Sequence, residues 1–144
     1  MEKTAWVIGA CAVLAAVSAA PAAAQTVVYK AALGGSAEAP PVSSAGNGTA
    51  SVNADFGTKQ LSWQVAYAGL SGPPIGAHIH CGAPSGANAP IAVPLGTPPN
   101  LASPIQGSGA MTDAQLQQLR SGLCYINIHT EMNKPGEIRG QLTP

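Results

Sequence analysis

The chain has 144 residues, with six Lys and Arg balanced by six Asp and Glu, for a formal net charge of zero. With no run of either sign, the charge pattern argues against a nucleic-acid or anionic-membrane partner held by electrostatics. Only 8% of residues are charged, while 17 Gly and 13 Pro interrupt the chain often, a balance that suits short strands and turns rather than long helices.

The first segment in chain order does not read as part of a fold. Met1-Glu2-Lys3 precedes an apolar run from Trp6 to Ala20, and Ala22-Ala23-Ala24 supplies the small residues that a signal peptidase reads. This layout predicts a cleavable leader over residues 1–24 and an exported product, periplasmic or extracellular, that begins at Gln25. The apolar run is too short and too Ala-rich for a good membrane span, and nothing later resembles one. Cys11 has only about ten residues before it, too few for a lipoprotein signal. Residues 25–144 remain, enough for one domain with one core.

Within that domain, Thr26–Leu33 (TVVYKAAL) reads as a strand, Gly34–Gly48 as a loop broken by Pro40-Pro41, and Thr49–Ala54 as a weak strand. Leu61–Tyr67 (LSWQVAY) is the clearest strand, with Leu61, Trp63, Val65 and Tyr67 on one face. Ala77–Cys81 (AHIHC) follows, then the short segments Ile91–Leu95 and Ile105–Ala110. Thr112 as cap, Gln115 three residues on and Gly122 as a stop predict one helix over about 112–121. Leu123–Thr130 (LCYINIHT) and Glu137–Leu142 (EIRGQL) are the last strands. The pattern predicts an all-β fold, an antiparallel Greek-key-like β-sandwich or barrel with one short helix. Its expected core includes Leu61, Trp63, Val65, Ile79, Ile126, Ile128 and Ile138.

Two cysteines lie beyond the leader, Cys81 and Cys124. An even count in an exported chain reads first as one disulfide, with free thiols or metal ligation as the alternatives. Period-two alternation places His78 and His80 on one face of their strand, and Ile79 and Cys81 on the other. In the later strand Tyr125, Asn127 and His129 share a face, opposite Cys124, Ile126 and Ile128. The isoleucines mark the core side, and both cysteines fall on it. If the strands are antiparallel neighbours with the cysteines bridged, His80 faces Tyr125 and His78 faces Asn127. His129 is then diagonal to His78, about 7–8 Å away between backbones. The bridge would close a loop of about 43 residues, stabilising by about 3–4 kcal/mol in the chain-entropy view.

Three imidazoles gathered in this way suit Cu(II) or Zn(II), with an open coordination position. Tyr125 and Asn127 are their neighbours on that face, and Glu131 is the nearest carboxylate in sequence that could orient a ring if the chain turns back. The same residues equally suit a polar outer face bonded to Tyr125, Asn127 and water, with no ion. No catalytic set emerges. There is no Gly-x-Ser-x-Gly elbow and no glycine-rich turn opening a helix, and the pleat sends Cys81 and His80 to opposite faces. Asn47-Gly48-Thr49 is a glycosylation sequon, of consequence only in a secretory host.

Three stretches carry a resemblance. LGGSAEAPPVSSAGNGTASV resembles the Glu-x-Pro-Pro opening of the CHRD (chordin) domain, GAHIHCGAPSGANAPIAVPL its central His-Ile-His motif, and LCYINIHTEMNKPGEIRGQL its closing signature. The resemblance spans about Thr26 to Leu142 and implies an extracytoplasmic all-β domain over 25–144; it does not imply an enzyme. The family pattern carries His78, His80 and His129. Cys81 stands where the family has Gly, and Cys124 where it usually has an apolar or aromatic residue; the two departures pair with one another, in keeping with a disulfide. The His-x-His strand also loosely resembles that of copper–zinc superoxide dismutases, whose further histidines and bridging aspartate have no counterpart in this chain. The expected function is an exported, non-enzymatic binding or structural module whose partner is an extracytoplasmic protein, a surface polymer or a metal ion. A copper- or zinc-dependent redox protein and a purely structural envelope component are the other readings. The fold demands no cofactor; copper or zinc is what the histidines would take.

Overall fold

Alternation decides the strands. In β3 (Gln60–Ala68), Leu61, Trp63 and Val65 are buried while Gln60, Ser62 and Gln64 are exposed. The same period shapes β1 (Thr26–Gly34) and β2 (Asn47–Asp55). The remaining strands are β4 (Pro74–Cys81), β5 (Ile91–Gly96), β6 (Ile105–Ala110), β7 (Cys124–Thr130) and β8 (Ile138–Gln141). This computed structural model describes residues 25–144, so the expected leader at 1–24 lies outside the described residues. Strand β4 begins three residues before AHIHC because its ladder with β7 extends to Pro74, where the sequence has no alternation to read.

One helix, α1 (Asp113–Arg120), packs Leu116 and Leu119 into the core. The expected capping box is present: Thr112 Oγ1 accepts from the Gln115 amide at 3.2 Å, and Gln115 Oε1 accepts from the Thr112 amide at 2.9 Å. Gly122, at φ +71°, lets the chain leave the helix.

All eight strands join one antiparallel sheet in the order β5-β4-β7-β8-β1-β2-β3-β6. The sheet curls until its edge strands β5 and β6 meet, so the architecture is a nearly closed barrel rather than two separate layers. Trp63 on β3 packs across its neighbour β6. A Cβ at Gly107, its partner on β6, would stand 2.7 Å from Trp63 Cζ2, so glycine is what lets the indole lie against the seam. Each residue expected in the core is buried, joined by Tyr29, Leu33, Val52 and Leu142. Among the described residues no helix is long and apolar enough to cross a membrane.

Candidate metal centre

The β4–β7 ladder sets the site. Cys81 lies opposite Cys124, His80 opposite Tyr125, His78 opposite Asn127 and Gly76 opposite His129. The two cysteines are bonded, with S–S 2.05 Å, inside the barrel beside Ile79 and Ile126. The pleat therefore sends all three histidines to the outer face, together with Tyr125 and Asn127.

Part of that face is closed to water, although His78 and His129 remain partly exposed. His80 is 8% exposed, Asn127 3% and Tyr125 2%. Two loops and a turn cover it. Asn88 Nδ2 donates to Ala39 O at 2.8 Å, tying the loop after β4 to the loop after β1. Arg139 on β8 holds the first of these loops, donating to Ala87 O at 2.7 Å and Asn88 Oδ1 at 3.2 Å. The turn before β8 completes the cover, with Asn127 Nδ2 donating to Pro135 O at 3.4 Å.

Backbone carbonyls fix the imidazole tautomers. A carbonyl oxygen only accepts, so His80 Nδ1 carries the hydrogen that bonds Ala89 O at 2.8 Å, and His129 Nδ1 the one that bonds Lys134 O at 2.8 Å. Both Nε2 atoms are thus left as lone pairs. His129 Nε2 accepts from His78 Nδ1 at 3.0 Å. His80 Nε2 is buried and has no partner. One nitrogen from each ring lies within 4.8 Å of the others. An ion held by the three rings would displace the hydrogen between His78 and His129, leaving His78 protonated on Nε2 instead.

Packing holds the rings in these positions. Gly76 makes room, since a Cβ there would stand 3.1 Å from His78 Cε1. His80 stacks on Tyr125 with centroids 4.8 Å apart and planes within 1°, and the Arg139 guanidinium lies 3.4 Å from the Tyr125 ring centre. Burial lowers the pKa of His78 to about 4, helped by the neighbouring His129 and His80. Burial also lowers that of His80 and of His129, against the opposing hydrogen bonds to Ala89 and Lys134. All three rings are neutral near pH 7, the form that ligates metals.

Glu131, the carboxylate nearest in sequence, does not join them. It sits in the exposed turn after β7, paired with Lys134 at 3.3 Å, and the Lys134 carbonyl orients His129 instead. The carboxylate on this side is Glu38, buried against Asn127 and Gly136. Sequence reasoning also passed over Arg139 and Gly76. Alternation from Ile138 would have put Arg139 on this face, and alternation from His78 would have done the same for Gly76. Glu38 comes from an irregular loop where no period operates, although it opens the Glu-x-Pro-Pro motif.

The family model of the CHRD domain matches residues 29–142. No curated protein and no solved structure matches the chain.

Proposed function

The chain belongs to the CHRD domain family, and from that premise we propose that it is an exported binding module for a Cu(II) or Zn(II) ion. The ligands are one nitrogen of each ring: His80 Nε2, His129 Nε2, and His78 Nδ1 once the hydrogen it donates to His129 has moved to its own Nε2. One observation carries the reading: one nitrogen of each of the three rings lies within 4.8 Å of the others, and His80 Nε2 is buried with no partner. Buried acceptors are satisfied in folded proteins, so an orphan aimed at two other imidazole nitrogens points to an absent cation. The ion would supply Lewis acidity at an open position; the chain's part is to hold three neutral imidazoles together, two of them, His80 and His129, in tautomers fixed by backbone carbonyls. The Cys81–Cys124 bond supports export, since such bonds persist outside a reducing cytosol.

Calorimetric titration of the tag-free chain with Cu(II) and with Zn(II) tests the proposal. The expected result is one ion per chain with a Kd below about 1 μM, weakened by at least about tenfold in His78→Ala. No binding tighter than micromolar, or the same binding in His78→Ala, would end it.

A further inference from the structure

A second group of unpartnered atoms lies beside the histidines. Among the described residues, five buried side-chain polar atoms lack a hydrogen-bond partner, and three of them belong to His80, Asn127 and Glu38. Asn127 sits at the middle of the histidine face. It is directly opposite His78 and two residues from His129 on the same strand. Its amide is held in one orientation. Nδ2 donates to Pro135 O and lies beside Glu38 Oε1, both of them acceptors. Gly136, at φ +144°, keeps that space clear: a Cβ there would stand 2.7 Å from Asn127 Nδ2 and collide with Glu38 Oε1.

With Nδ2 committed, Oδ1 must point the other way, and it is buried with no donor. It shares the face with His80 Nε2, likewise a lone pair. Two buried acceptors cannot satisfy one another; a cation satisfies both. We propose that Asn127 Oδ1 is the fourth donor of the centre, which becomes three nitrogens and one oxygen, and that Glu38 is the positioning residue that turns the oxygen inward. This rests on the three-histidine reading above and assigns the open position that reading leaves. A hard oxygen in the set also favours a divalent ion over Cu(I).

The test is Zn(II) affinity by competition with a chromophoric chelator, in the intact chain and in variants shown to be folded by thermal melting. Asn127→Val removes the oxygen and is expected to weaken binding by about 10–100-fold. Asn127→Asp replaces it with an anionic oxygen and is expected to tighten binding, a gain that a merely structural asparagine would not give. Glu38→Leu is expected to weaken binding as Asn127→Val does, while Glu38→Gln, which keeps an acceptor for Nδ2, stays near the parent chain. If Asn127→Val fails to fold, the Asp and Glu38 variants still decide. A parent chain that binds no zinc and no copper overturns the three-histidine reading itself. A parent chain that binds, with Asn127→Asp no tighter or Glu38→Leu unchanged, overturns this inference alone.

Discussion

Two buried polar clusters flank β7, and they are built on opposite principles. At one end Glu137 is fully buried, and its carboxylate accepts four hydrogen bonds: from Ser44 Oγ and the Ser71 amide, each at 2.7 Å, and from Ser71 Oγ and Thr130 Oγ1, each at 2.6 Å. Every lone pair has a use, and the cluster staples the loop after β1, the loop after β3 and the end of β7 to the start of β8. Along the same strand His80 and Asn127 are buried while His78 and His129 are partly exposed, and His80 Nε2 and Asn127 Oδ1 have no donor. A closed cluster is finished by the fold; an open one is finished by something else. Burial does not distinguish the two. Counting donors and acceptors does.

The contrast can be broken most strongly at its closed end. Glu137→Ala leaves buried donors without a partner and is expected to cost about 3–5 kcal/mol of stability by urea denaturation. The two glutamates should also respond oppositely to pH. Burial alone would raise the Glu137 carboxyl, but the bonds from Ser71, Thr130 and Ser44 overcome it and hold the pKa at about 2. This folded value is below that of the unfolded chain. The stability Glu137 contributes is therefore present above about pH 4.5 and lost as pH falls toward 2. Burial raises Glu38 to about 7 against the opposing pull of Arg139 and Asn127. Its contribution is present below about pH 4.5 and lost as pH rises through 7. Urea midpoints measured across pH should show both slopes, the acid one absent in Glu137→Gln and the neutral one absent in Glu38→Gln.

The open end should respond to metal. Zinc at about 100 times its Kd is expected to stabilise the chain by about 2.7 kcal/mol, seen as a raised thermal midpoint that His78→Ala abolishes. The smallest expected effect is at Gly76→Ala, where the added Cβ presses on the His78 ring. Zinc affinity should fall by about tenfold, or about 1.4 kcal/mol, with little change in the urea midpoint of the metal-free chain. Equal losses of affinity and stability would mean that Gly76 serves the strand rather than the site.

Much of this was legible because β4 and β7 alternate strictly. Ile79, Ile126 and Ile128 mark the core side and put both cysteines on it; given antiparallel neighbours and a bridge between those cysteines, the register and the gathering of three histidines follow, as the structure has them. Strand period says which residues share a face but not what lies over it. The loops at 36–41 and 84–90 have no period, so the cover on the histidines, and Glu38 within it, could not be read. Glu131 was chosen because it is close in sequence, but a turn residue next to a strand end points to solvent unless something holds it. The room that Gly107 leaves for Trp63 was not legible either, since the contact joins strands far apart in the chain.

The Cys81–Cys124 bond lies on the other face of the strands that carry the histidines. A slip of one residue of β4 along β7 would turn His78 and His80 into the barrel, away from His129, and Ile79 out of it. The same slip would move the two sulfurs out of bonding reach. Oxidation thus works as an inspection step: a chain that closes this bond has already aligned its three histidines, and one that has misaligned them keeps its thiols. If the histidines take the proposed ion, its loading can follow folding without having to guide it.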